Sequence, residues 1–315
     1  MPKRMTLIAI IVFIAVVLTA LAVALRSKGL SDDTVAALYE VPLPAPESAI
    51  SVFHLGHSLV GRDMPAMLAQ LAPTGHRYDS QLGWGTSLRE HWEPDVAING
   101  FESENNHPRY RDARSAISSG DYDAVVLTEM VEIKDAIRYH DSAKYLGKWA
   151  KLARTANPAP RVYLYETWHR LDDAQGWMTR LQEDLPSQWE ARILLPNLSA
   201  DAPPIYVIPA GQVMAQLVRE VEATGGIGPM KTREDLFQRG ADGTLDTIHI
   251  NDLGAYLVAL THYAVLYGRS PEGLPYELAR ADGRAANSPG ADLAALMQRV
   301  VWQVVTIYPK TGVAL

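Results

Sequence analysis

From residue 49 onward the chain alternates short apolar runs with stretches whose apolar residues recur every three or four positions. "AISVFHLG" is apolar and rich in strand formers, and "DMPAMLAQLA", which follows the turn after it, has helical spacing. "YDAVVLTEM" from residue 122, "PRVYLYETW" from 160 and "PPIYVIPAG" from 203 repeat the strand signature. Unbroken apolar runs of that length suit strands buried on both faces of a parallel sheet. Helical spacing occupies about 140–156, 170–190, 211–223, 251–267 and 290–306. The alternation predicts an α/β fold with a mainly parallel sheet covered by helices on both faces. In such sheets the ligand crevice lies at the carboxyl ends of the strands.

The N-terminal pattern is different. Residues 6–25, "TLIAIIVFIAVVLTALAVAL", are uncharged and follow Lys3 and Arg4. About 20 such residues span a bilayer as a helix, so residues 1–28 are expected to be a transmembrane anchor, with the rest of the chain periplasmic or extracellular. A cleaved signal is the alternative, because Ala22 and Ala24 offer a small-residue cleavage site. Residues 29–48, ending "EVPLPAPES", read as a proline-containing linker, and residues 49–315 as one domain.

Composition narrows the function classes. With 48% hydrophobic residues in 315, the chain can bury a sizeable core. A net charge of −7 without a basic patch argues against nucleic acid as a partner. The absence of cysteine excludes disulfides, thiolate zinc sites and iron–sulfur clusters.

The candidate chemistry begins at "LGHSLV", where Ser58 stands at a strand-to-helix turn. Such a turn lifts a hydroxyl clear of the sheet and favours negative charge beside it, which suits a nucleophile; a serine there also serves as an ordinary helix cap. A serine nucleophile needs a base. In "DTIHINDLGAYLVA", Asp246 precedes His249 by three residues, in what reads as a loop leading into a long helix. That spacing lets the carboxylate orient the imidazole, although a plain loop ion pair has the same spacing.

Taken together, these motifs resemble the SGNH, or GDSL-type, serine hydrolase family, with a Gly-x-Ser turn near the start and D-x-x-H before the last helices. The resemblance spans about residues 50–310. It implies a flavodoxin-like three-layer α/β/α sandwich and a catalytic set of Ser58, His249 and Asp246 cleaving acyl esters, often on carbohydrates or lipids. It implies an oxyanion hole of backbone N–H groups from Ser58 and from a glycine in "QLGWGTSLREHW", with Gly85 favoured over Gly83. The family's usual Asn or Gln after the second strand is replaced by Thr128 and Glu129, and Thr128 is expected as a third donor. His57 stands where the family usually carries Asp or Asn, and is expected to be a structural hydrogen-bonding group.

Trp84, Glu129 and Trp168 fall near strand ends as candidates for the substrate crevice, with Trp92 and His169 as weaker ones. His54 and His57 lack a third ligand at metal spacing, so no metal and no organic cofactor is expected. The expected partner is a small acyl ester or acylated glycan, with acetyl-like groups favoured. The alternatives are a catalytically silent glycan-binding assembly protein and an O-acyltransferase using the same three residues.

Overall fold

The computed structural model describes residues 30–157 and 159–315. Its central sheet comprises β1 (Ser51–Leu55), β2 (Arg77–Gln81), β3 (Ala124–Leu127), β4 (Arg161–Glu166) and β5 (Tyr206–Pro209). All neighbours pair in parallel, in the order β2-β1-β3-β4-β5. That is the flavodoxin-like order, in which the direction of winding reverses beside β1 and opens a crevice there. A separate antiparallel hairpin joins β6 (Phe237–Arg239) to β7 (Leu245–Ile250).

Alternation along the strands divides the core in two. Val52, Val126, Tyr163 and Ile208 face one side and pack with α1 (Asp63–Leu71) and three later helices. Phe53, Val125, Leu164 and Val207 face the other, against α2 (Ser142–Ala156) and the π-helix Leu185–Leu194, while α3 (Trp177–Asp184), which runs into that π-helix, turns Trp177 and Leu181 to the first side. The first side is completed by α4 (Ala210–Ala223), α5 (Asp252–Tyr267) and α6 (Gly290–Ile307). Every residue of α5 is buried, as its nearly continuous apolar sequence requires.

The three-layer parallel architecture is as expected, but the expectation of a transmembrane helix preceding it is corrected. Among the described residues no helix is long and apolar enough to cross a membrane. The run 6–25 that carried the expectation lies outside the described residues. Within 29–48, Asp32–Leu38 form a short helix, and the Tyr39 hydroxyl after it donates to the Ile205 carbonyl at 2.7 Å. The sequence pattern also missed β2, because "RYDSQ" is a polar edge strand with only its last two residues buried.

Candidate active site

β1 ends at Leu55 and delivers Gly56, His57 and Ser58 to the crevice. A Cβ on Gly56 would lie 2.4 Å from the Thr128 side chain, so only glycine allows β1 to run this close to the end of β3. Two buried imidazoles hold the turn. His91 donates Nε2–H to the Gly56 carbonyl at 2.7 Å, its tautomer fixed by Gln81 donating to Nδ1. His57 donates Nε2–H to the Glu129 carbonyl at 2.8 Å and turns Nδ1 toward the Leu59 N–H. Burial pushes both rings down to about 4, so both are neutral at physiological pH.

Ser58 does not cap the helix that follows. Helix α1 starts at Asp63 with Arg62 at its cap position and no side-chain cap bond. The Ser58 hydroxyl meets His249 Nε2 at 3.1 Å, and His249 Nδ1 meets an Asp246 carboxylate oxygen at 2.8 Å. The other Asp246 oxygen accepts the backbone N–H groups of Ile248 and His249, both at 2.9 Å. Burial pushes the Asp246 carboxyl up, but these N–H groups and the imidazole outweigh it and hold the group below its ordinary value. A permanently ionised acid behind a histidine fixes the tautomer that leaves Nε2 free to take a proton from a hydroxyl.

Asp246 and His249 lie on β7 rather than on a loop. The hairpin pairs Phe237 with Ile250 and Arg239 with Leu245, so five steps of β7 oppose two of β6 and three residues bulge out. The bulge turns Asp246 back onto His249, which a regular strand could not do at that spacing. Asn251 fixes the far end: it caps α5 through Leu253 and Gly254 N–H and donates to the Asp235 and Phe237 carbonyls.

Ser58 and His249 stand between two clefts. One, of about 720 Å³, is bordered by Trp84, Gly85, Val131, Arg170 and Ile248. The other, of about 690 Å³, is bordered by Arg62, Arg239, Asn251 and Asn287. Gly85 adopts a φ of +56°, a left-handed conformation suited to glycine. Among the described residues neither the Ser58 nor the Gly85 N–H has a hydrogen-bond partner. Trp84 is 54% exposed at the rim, its indole N–H donated to Glu104 at 2.8 Å.

Three expected site residues are not brought to this surface. Thr128 is fully buried and gives its only hydroxyl hydrogen to the Tyr165 carbonyl at 2.8 Å, so it has none for an oxyanion. Glu129 is also fully buried, accepting the Leu88 and Met130 N–H groups, and burial raises its carboxyl to about 7. Trp168 has no accessible surface; it donates its indole N–H to the Ile248 carbonyl at 2.7 Å and so steadies the strand that carries His249. Conversely, the sequence pattern gave no sign of Val131, Arg170 and Gln238, which border the first cleft from segments without a motif.

Among the described residues one trio, Glu132, His169 and Asp184, has the grouping of a metal site. Arg180 already serves as its cation. Its guanidinium reaches Glu132, Asp173 and Asp184, each at 2.6 Å.

No protein-family model matches the chain, and no curated protein matches it. Among solved structures it is similar to a carbohydrate esterase family 3 crystal structure from Talaromyces cellulolyticus, at 14% identity and a TM-score of 0.38. That match covers 69% of this chain and 96% of the other. A likeness this distant bears on neither substrate nor mechanism.

Proposed function

We propose that the protein is a serine-dependent carboxylic ester hydrolase of the SGNH type, acting on short acyl esters of a carbohydrate. The observation that carries this reading is the relay from Ser58 through His249 to Asp246, at 3.1 and 2.8 Å, opening between two clefts. Ser58 Oγ attacks the ester carbonyl as His249 Nε2 takes its proton, and Asp246 stabilises the imidazolium. The Ser58 and Gly85 N–H groups receive the oxyanion. His249 then protonates the departing alcohol, and a water activated by the same nitrogen releases the acyl group from Ser58. The exposed Trp84 offers a flat apolar face against which a sugar ring stacks.

With Thr128 committed elsewhere, the oxyanion rests on two backbone donors. One donor fewer typically costs about 10²- to 10³-fold in rate, so a modest turnover is expected. The test is hydrolysis of p-nitrophenyl acetate and butyrate by the purified protein and by Ser58→Ala. Turnover that vanishes in the variant supports the reading. No turnover by folded protein overturns it in favour of a silent binding protein or an acyltransferase without its acceptor.

A further inference from the structure

The cleft on the α5 side of Ser58 has an asymmetry in how its charges are used. Its carboxylates are turned toward the protein. Asp63 accepts the Ala281 N–H, Asp235 accepts the Lys231 and Thr232 N–H groups, and Asp252 and Asp282 are held by Arg280 and Arg284. Two guanidiniums have no such partner. Among the described residues, neither Arg62 nor Arg239 reaches a carboxylate. Arg62 donates to the Ser103 carbonyl, and Arg239 makes a long contact to the Gly243 carbonyl at 3.4 Å. Each guanidinium carries five N–H donors in a planar fork, so most remain open.

The cleft also continues. A further groove of about 630 Å³ shares Arg62, Asp63, Gln238 and Asp282 with it and leads to Tyr78 and Arg109. Arg109 lies 5.1 Å above the Tyr78 ring and likewise reaches no carboxylate among the described residues. Beside it, the His107 Nε2 is buried and has no hydrogen-bond partner. The path leading away from Ser58 is therefore lined by open cationic donors, in a protein whose net charge is −7. On the other side of Ser58 the lining is mostly apolar, with Leu59, Trp84, Val131 and Ile248, and its two charged members are already engaged, Glu104 by the Trp84 indole N–H and Arg170 by Asp172.

From this we infer that the groove running from Ser58 past Arg62 and Arg239 to Arg109 binds an acidic oligosaccharide, its sugar carboxylates taken by the guanidiniums, and so selects acyl esters carried on a polyuronate-type chain. The inference rests on the ester hydrolase reading for its catalytic part but not for its binding part. Planar forks match carboxylates in bidentate fashion, and two adjoining volumes of about 690 and 630 Å³ favour a chain over a single residue. Such binding is weakened by salt, because exposed charges are screened.

Two measurements separate the parts. In the first, calorimetry follows binding of a non-acylated oligogalacturonate and of a neutral xylo-oligosaccharide to the full chain and to the double variant Arg62→Gln, Arg239→Gln. Preference for the acidic chain, reduced about tenfold or more in the variant and by raised salt, is the expected result. Equal binding of the two oligosaccharides, or no binding of either, overturns the inference whether or not the protein turns over p-nitrophenyl acetate. In the second, kcat/KM on acetylated polygalacturonate is divided by that on acetylated xylan. The ratio is expected to favour the acidic polymer and to fall about tenfold in the variant, mainly through KM; a ratio unmoved by the substitutions overturns the inference. Absence of turnover on every ester, with acidic binding intact, would instead remove the hydrolase reading and leave the groove.

Discussion

His57 and Glu129 are joined by one buried hydrogen bond, imidazole Nε2–H to backbone carbonyl at 2.8 Å, which ties the turn carrying Ser58 to the end of β3. An imidazole beside a nucleophile invites a catalytic role, yet this ring is buried, neutral and turned into the protein. Its work is to fix the loop. Replacing His57 with alanine removes that bond and the contact to the Leu59 N–H, and leaves a void in a packed region. We expect a loss of about 2–4 kcal/mol in urea unfolding, with kcat lowered more than KM is raised. An unfolding midpoint equal to wild type would show that the bond does not hold the turn.

Ser58 gives the contrasting case. Its hydroxyl bonds His249 and caps no helix, so Ser58→Ala removes a nucleophile without removing a structural bond of consequence. Turnover should disappear while the thermal midpoint stays within about 2 °C of wild type. Asp246→Asn should keep the fold and lower kcat on the order of 10³- to 10⁴-fold, because an amide cannot hold the imidazole in the required tautomer or stabilise its charge. Full activity in either variant on p-nitrophenyl acetate would sink the relay.

The sheet was largely legible because buried parallel strands are apolar throughout, as in "DAVVL" and "RVYLY", and because helices of three-to-four spacing separate them. The polar strand β2 and the β6–β7 hairpin left no such trace. Their shape comes from pairing and from a three-residue bulge, neither of which appears as periodicity. Local spacing puts forward Ser58, His249 and Asp246 with a helix cap and a loop ion pair as rival readings, and it is the resemblance to SGNH hydrolases that joins the three into one set. Thr128, Glu129 and Trp168 could not be placed, since whether a residue at a strand end faces the crevice or the core is settled by tertiary neighbours such as Tyr165, Leu88 and Ile248.

Trp168 tests how rigidly His249 must be held. Phenylalanine keeps an aromatic ring but loses the rest of the indole, including the N–H that the Ile248 carbonyl accepts, and so leaves a small void at a fully buried position. The unpaired carbonyl should cost about 1–3 kcal/mol of stability. A several-fold fall in kcat at nearly constant KM is expected as well. Unchanged kcat in a destabilised variant would limit Trp168 to packing.

Glu129→Gln has an effect whose sign depends on pH. Burial raises the folded-state carboxyl from 4.5 to about 7, so the native protein holds a proton that the unfolded chain has released. The associated stability is fully present below pH 4.5 and is lost as pH rises to about 7. Glutamine has no proton to lose. Relative to wild type, the variant should therefore gain roughly 3 kcal/mol between pH 4.5 and 7, read from urea midpoints at the two values. Its activity at neutral pH should be retained, since the carboxyl lies behind the site; a collapse of activity would give Glu129 a direct role.

Acid should unfold this protein early, because its core holds histidines that cannot take up protons in place. Burial pushes His57, His76, His91 and His262 down to about 4, and lowers His54, which packs 5.8 Å from the His262 ring, well below its ordinary value. Between pH 6.5 and about 4 the unfolded chain binds protons at these positions that the native chain does not. Each such group therefore withdraws up to about 1.4 kcal/mol of stability per unit of falling pH. Glu129 and Glu166 oppose this, since burial raises their folded-state values to about 7 and 8, but two carboxyls face these five histidines and His169, which burial also lowers. The thermal midpoint should fall steadily below pH 6.5. His262→Leu provides the internal control: its Nδ1 donates only to the Val258 carbonyl within its own helix, and its Nε2 has no partner. The substitution removes one titrating group and should make the pH slope shallower. A midpoint that holds or rises from pH 6.5 to 4.5, or a slope unchanged in His262→Leu, would show that the buried imidazoles do not set the acid limit.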